Sequence, residues 1–239
     1  MPQAHIGCSG FNYPHWKGVF YPDGLPQRKW LGHYTSVFST VELNVTFYRL
    51  PRAETFIKWH AETSPDFTFS IKGSRFITHL KRLLEPESPL ELFFGRAKGL
   101  EGKIRVVLWQ FPPSFSLELS RLEHFLSLLK SYPVRHTFEF RHQSWITGEV
   151  VLLFREYGAG LCMADTPPFL DELPVTADFV YFRRHGAVPG YNYSDEALER
   201  DAARIRDHLR QGRDVYLYFN NDAYGCAPRN AQTLKGMLS

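Results

Sequence analysis

Cysteine is scarce in this 239-residue chain: there are three, Cys8, Cys162 and Cys226, far apart and without a C-x-x-C pair. An odd, scattered set argues against a disulfide framework or a thiolate zinc site and for a reducing compartment. Long apolar runs are also missing. Met1-Pro2-Gln3-Ala4-His5 leads directly into an apolar stretch too short for a signal peptide, and nothing approaches the roughly 20 residues of a membrane span. The expected location is cytoplasmic, with no membrane partner. Net charge is small, +3 from 28 Lys and Arg against 25 Asp and Glu. The basic residues are spread out, with only Lys81-Arg82 and Arg183-Arg184 as short clusters, unlike the concentrated basic face of a nucleic-acid binder. No P-loop, nucleophile elbow or internal repeat is present. No low-complexity linker divides the chain, so one domain over residues 1–239 is expected.

Aromatic residues, in contrast, are abundant: 20 Phe, 12 Tyr and 5 Trp. Most suit a core. Short runs rich in β-branched and aromatic residues recur at His5–Ser9, Thr40–Asn44, Phe67–Lys72, Arg105–Phe111, His136–Arg141, Gly160–Asp165, Phe179–His185 and Asp214–Asn221. Turn residues follow each of them, not the tight dipeptides of a hairpin. Amphipathic helical stretches lie between. Ser88-Pro89-Leu90-Glu91 and Ser120-Arg121-Leu122-Glu123 read as capping boxes, and Leu122, Phe125, Leu126 and Leu129 form one apolar face. Val150, Phe154 and Tyr157 keep helical spacing before Gly158, a C-terminal cap. Ser194 opens a helix aligning Leu198, Ala202, Ile205 and Leu209, ending at Gly212. Arg28–Phe38 and Pro51–Thr63 fit the same description less cleanly.

Repeated strand–helix alternation implies a parallel sheet with helical crossovers, and eight units favour closure into a (β/α)8 TIM-type barrel with an outer helix ring. No Gly-rich dinucleotide fingerprint follows the first strand, which removes the main reason to prefer a Rossmann sheet. Between Asp165 and Phe179 there is room only for a Pro-rich loop and a short helix.

Chemistry in such barrels sits at the C-terminal strand ends. The expected ends carry Ser9; Glu42 and Asn44; Lys72; Gln110; Glu139 and Arg141; Asp165; Arg183 and His185; Asn220 and Asn221. Residues two apart on a strand share a face, so Glu42 with Asn44, Glu139 with Arg141, and Arg183 with His185 can each point the same way. A purely structural ion-pair plug, for instance Glu139 with Arg183, is the competing explanation. Lys72, Arg141 and Arg183 are candidates to hold a carboxylate or phosphate. Glu42, Glu139, Asp165 and His185 are the candidate acid–base groups. Glu139, Asp165 and His185 could also ligate a divalent metal, although no H-x-H or H-E-x-x-H motif supports this. No cofactor is indicated. Asn12–Gly18 and Phe47–Pro51 put aromatics, Tyr48 among them, on loops that could wall a site.

The ordered segments Gly7-Cys8-Ser9-Gly10-Phe11, Thr40–Arg49, Gln110-Phe111-Pro112-Pro113, Glu139-Phe140-Arg141-His142 with Ser144-Trp145, Arg183-Arg184-His185-Gly186 and Tyr218–Asp222 together resemble the YecE-like family, a domain of unknown function. The likeness runs from about Ile6 to the last helix. It implies a (β/α)8-type barrel and no established reaction. The family's motif positions correspond here to Glu42, Asn44, Thr46, Tyr48, Lys72, Thr78, His79, Gln110, Glu139, Arg141, Trp145, Asp165, Arg183, His185 and Asn221. Cys8 and Arg184 depart from it, standing where a small polar and an apolar residue are common. The leading expectation is an enzyme acting on a small anionic, possibly phosphorylated, molecule, with Asn44, Tyr48, Lys72, His79, Gln110, Arg141, Trp145, Arg183 and Asn221 binding it. The alternatives are a metal-dependent phosphodiesterase or nuclease, and a non-catalytic binder of nucleic acid or ligand.

Overall fold

The computed structural model describes every residue except Pro189 and Ser239. Eight strands, β1 (Ala4–Cys8), β2 (Thr40–Leu43), β3 (Thr68–Lys72), β4 (Ile104–Gln110), β5 (Arg135–Glu139), β6 (Gly160–Ala164), β7 (Phe179–Arg184) and β8 (Asp214–Phe219), form one parallel sheet in the order β1-β8-β7-β6-β5-β4-β3-β2. The ends of that order meet at a bridge between Ser9 and Glu42, so the sheet is a nearly closed barrel. The eight-stranded parallel barrel is as expected, and each strand lies within two residues of its expected bounds. The differences gather at the C-terminal ends, where pairing continues for single hydrogen bonds beyond the ladder. Phe111 N donates to the Glu139 carbonyl (2.9 Å) and Asn220 N to that of Arg184 (2.8 Å).

The helices are α1 (Trp30–Val37), α2 (Val45–Tyr48), α3 (Ala53–Ala61), α4 (Glu87–Ala97), α5 (Leu119–Leu129), α6 (Gly148–Tyr157), α7 (Asp195–Arg210) and α8 (Cys226–Leu238). Several ends follow the local chemistry. Gly158 caps α6 with φ +64°, where a side chain would be strained. The Thr147 hydroxyl accepts from Val150 N at the other end of α6, and the Ser194 hydroxyl from Ala197 N at the start of α7. Both expected capping boxes fail. Helix α4 begins at Glu87 and α5 at Leu119, so Ser88 and Ser120 lie inside the first turn, with no side-chain cap at either end. A serine caps only with non-helical dihedrals, and here the helix has already started one residue earlier. Between β6 and β7 there is only a 3-10 turn, Pro168–Leu170, among the described residues.

Two cores result. The larger lies between the outer faces of the strands and the helices; Leu122, Phe125, Leu126 and Leu129 bury the expected face of α5 there. The smaller fills the barrel with Val106, Leu108, Cys162, Phe179, Tyr181, Tyr216 and Tyr218. Tyrosine needs a partner for its hydroxyl when buried. Tyr218 finds two, the Thr40 hydroxyl at 2.7 Å and the Ser70 hydroxyl at 2.9 Å. This layer separates two polar ends. At the N-terminal end Arg135 donates to Asp214 (2.6 Å), Asp178 (2.9 Å) and the Tyr216 hydroxyl (2.9 Å). The C-terminal end carries the candidate site.

A charged candidate site at the C-terminal mouth of the barrel

Strand alternation sorts the site. Arg183 and Arg184 are neighbours in sequence and point to opposite faces of β7. Arg184 turns outward to Asp201 of α7 and to Asp171, 3.2 Å away. Arg183 turns inward, fully buried, and every nitrogen of its guanidinium is engaged. Nε and Nη2 donate to Glu42 at 3.1 and 2.8 Å, and Nη1 donates to Glu139 at 2.7 Å. Glu42 also accepts from the Ser9 hydroxyl (2.5 Å) and the Tyr181 hydroxyl (2.6 Å). Burial pushes both carboxyls up. For Glu42 the charge and hydrogen bonds of Arg183, with Ser9 and Tyr181, outweigh burial and hold the pKa below its ordinary value. For Glu139, Arg183, His185 and Arg141 hold it well below.

Around this pair lies a second ring. Glu139 accepts from the Gln110 amide (2.9 Å) and pairs with Arg141, while Arg141 also donates to the Thr166 carbonyl (2.9 Å). His185 places Nε2 at 3.0 Å from Arg141 and 3.4 Å from Arg183, with Nδ1 at 3.0 Å from the Asn220 amide. Burial and then the Arg183 charge lower its pKa, despite Glu139, so the imidazole is neutral near pH 7. Asn44 joins through the Asn220 oxygen (3.3 Å), and its own amide oxygen is buried without a partner among the described residues.

Lys72 differs from its neighbours. It is 6% exposed, on the face of β3 that Ser70 also uses, yet no hydrogen-bond acceptor or carboxylate among the described residues pairs with its ammonium. Nζ lies 4.1 Å over the Phe47 ring instead. Burial, and then the charge of Arg183, bring its pKa down to about 8 against the opposing pull of Glu139 and Glu42. His79 stands edge-on to the same Phe47 ring, 4.9 Å between centroids, and burial with the Lys72 and Arg75 charges lowers it to about 4. A cleft of about 440 Å³ opens here, lined by His79, Gln110, Phe111, Pro112, Pro113, Arg141 and Pro167.

Of the thirteen expected site residues, Glu42, Asn44, Lys72, His79, Gln110, Glu139, Arg141, Arg183 and His185 therefore gather at the mouth. Four do not. Asp165 anchors the loop after β7, accepting from the backbone N–H of His185 (2.9 Å) and Gly186 (3.1 Å) and from the Tyr193 hydroxyl. Trp145 is fully buried, stacked on Phe140, with its indole N–H on the Phe115 carbonyl at 2.6 Å. Asn221 is turned to Tyr191 and Asn230 and ties the β8 loop to α8. Tyr48 is 70% exposed and walls a separate groove of about 880 Å³ with Phe11, Tyr13 and Trp59. With Asp165 held by backbone amides, the Glu139–Asp165–His185 metal set does not form. No three His, Cys, Asp or Glu side chains converge as a metal site would need, among the described residues. Sequence reasoning missed Tyr181, whose position two before Arg183 puts it on the same face; Phe47, in a segment expected to wall a site, is the ring beneath Lys72.

Residues 5–239 match the family described as Protein of unknown function DUF72. UPF0759 protein YunF of Bacillus subtilis is 25% identical over 98% of this chain and 94% of its own length. UPF0759 protein YecE of Escherichia coli is 31% identical over 61% of this chain and 51% of the relative. A crystal structure of a DUF72 family protein from Thermotoga maritima superposes with a TM-score of 0.87 at 33% identity, covering 99% of both chains. No helix among the described residues is long and apolar enough to cross a membrane.

Proposed function

The chain belongs to the DUF72 family, and from that premise we propose that it is an enzyme that binds a small anionic molecule at the C-terminal mouth of its barrel and acts on it by acid–base chemistry. The observation that carries this reading is Lys72, a lysine only 6% exposed whose ammonium has no ion-pair partner among the described residues, on the Phe47 ring that also meets His79 of the cleft lined by Arg141. A buried charge without a partner is costly to the fold, and a bound carboxylate or phosphate would supply the missing one. Three cations face two carboxylates here, so the cluster carries one positive charge when Lys72 is protonated.

The roles separate by what each group already holds. Arg183 has every guanidinium nitrogen engaged, by Glu42, Glu139 and His185, and is a positioning residue. Glu42, fully buried and saturated by Ser9, Tyr181 and Arg183, keeps Arg183 in place and has no free lone pair aimed at the cleft. Lys72 and Arg141 take the anion. Glu139 and the neutral His185 are the proton carriers, because they adjoin each other (3.6 Å) and Arg141.

Titration calorimetry with inorganic phosphate and with small carboxylates tests the binding half. Lys72→Met and Arg141→Met are each expected to weaken binding by about tenfold or more, which is about 1.4 kcal/mol. Folded Glu139→Gln, which frees Arg141 of a carboxylate, should bind anions at least as tightly as wild type, and both it and His185→Ala should leave a metabolite mixture unchanged where wild type consumes a component. Wild-type affinity in Lys72→Met and Arg141→Met would remove the anion site. Salt-sensitive oligonucleotide binding without turnover would favour a binding protein instead.

A further inference from the structure

The structure holds two lysines of equal burial and opposite satisfaction. Lys72 and Lys103 are both 6% exposed. Lys103 donates to the His60 carbonyl (2.8 Å), the Thr63 carbonyl (2.9 Å) and the Thr63 hydroxyl (2.9 Å), which accounts for all three of its ammonium protons. Burial lowers the pKa of Lys103 as well, but its ammonium is held in place by three acceptors. Lys72 has no such acceptor among the described residues, and its Nζ rests on an aromatic face, with burial and the Arg183 charge lowering its pKa against the pull of Glu139 and Glu42. Desolvation and like charges are the two ways in which a lysine is made available as a neutral nucleophile.

We propose that Lys72 is the amine that condenses with the carbonyl group of an anionic aldehyde or ketone, forming an imine at the barrel mouth. This rests on the anion-site reading above and names its substrate class. The neutral amine adds to the carbonyl carbon and forms a C–N bond. The former carbonyl oxygen leaves as water with the two amine hydrogens, and a C=N bond remains. No electrons are exchanged, so no oxidant or reductant is required. Arg141, which lines the cleft, keeps the anionic group of the same molecule once Lys72, its partner in the anion site, has given up its proton and become the nucleophile. Glu139 and His185 lie on the Arg141 side of the mouth, where proton transfer to the departing oxygen is needed. With its pKa brought down to about 8, the amine has a far larger neutral share at pH 7 than an ordinary lysine, and that share rises through pH 8.

Reductive trapping tests the inference. The folded protein is incubated at pH 7 with pyruvate or dihydroxyacetone phosphate and sodium cyanoborohydride, and adducts are located by intact mass and peptide mapping. Lactate and glycerol 3-phosphate, which carry the same anions without the carbonyl, are followed in parallel by thermal shift. The expected result is one adduct at Lys72 from at least one carbonyl compound, forming at least tenfold faster than at any other lysine and half-maximal in rate near pH 8. Lys72→Arg keeps the charge and should keep the lactate or glycerol phosphate shift while losing the adduct. Absence of a Lys72 adduct while those analogues still shift the melting point overturns the imine and leaves the anion site standing. Absence of both overturns the anion site as well.

Discussion

The two ends of this barrel both carry a buried or half-buried arginine between carboxylates, but they differ in what is left over. At the N-terminal end Arg135 is 28% exposed, and its partners Asp214 and Asp178 are 25% and 74% exposed. Its donors also satisfy the Tyr216 hydroxyl, His5 stacks on that ring at 4.7 Å, and Lys103, at the foot of β4, closes on carbonyls. The charges are open to solvent, and no buried side-chain nitrogen or oxygen among the described residues at this end lacks a partner. At the C-terminal end Arg183, Glu42 and Glu139 have essentially no exposure, and beside them stand a neutral imidazole and, without partners among the described residues, the Lys72 ammonium and the Asn44 amide oxygen. A polar cluster serving stability alone would be satisfied, since unmet buried groups cost free energy. The mouth keeps such groups, and they are what supports proposing a site there over a purely structural plug.

The comparison is broken most directly through the arginines. Arg183→Leu strands two buried carboxylates and is expected to lower unfolding stability by about 3–5 kcal/mol, whereas Arg135→Leu, in a pair open to solvent, should cost about 1 kcal/mol or less. Urea denaturation of both variants measures this, and similar losses would mean that the two ends are equivalent.

A smaller effect, with a change of sign, is expected for the lysines. Lys103→Met leaves the His60 and Thr63 acceptors unmet and should destabilise by about 1–3 kcal/mol. Lys72→Met removes a charge that the fold holds at a loss and should stabilise at pH 7 by about 1–3 kcal/mol. The folded pKa of Lys72, about 8, lies below its ordinary value of 10.5. The cost of the buried charge is therefore fully present below pH 8 and disappears as pH rises toward 10.5. The advantage of Lys72→Met in denaturant melts should shrink over that window, and a pH-independent advantage would trace it to packing instead.

The smallest effect concerns His79, lowered to about 4 from 6.5. Between those values the unfolded chain binds a proton that the folded chain does not, so stability falls as pH drops from 6.5 to 4. His79→Gln should flatten the dependence of Tm on pH across that interval. An unchanged slope would mean that the mouth does not resist a further positive charge.

How much of this was legible follows from how local each signal is. Eight strand runs show in sequence because β-branched and aromatic segments between turn residues reflect burial on both faces of a parallel sheet. Cap positions were less secure, as Ser88 and Ser120 show, because a helix end moves by one residue at little energetic cost. The mouth residues were found largely through the two-residue period, which put Glu139 with Arg141 and Arg183 with His185. Asp165 fitted that pattern equally well, and only the path of the β7 loop turned its carboxylate to the His185 and Gly186 amides. Trp145 and Asn221 likewise sit beside motif residues but pack behind them.

The amino-acid sequence by itself determined the alternation of strands and helices, the polarity of the strand ends and membership of a family, since these depend on residue type and spacing along the chain. Which carboxylate holds Arg183, which residue walls the cleft, and which of two equally buried lysines lacks an acceptor were decided only by tertiary structure. Pairing across a barrel joins residues as far apart as Glu42 and Arg183, and no local period encodes where such side chains meet.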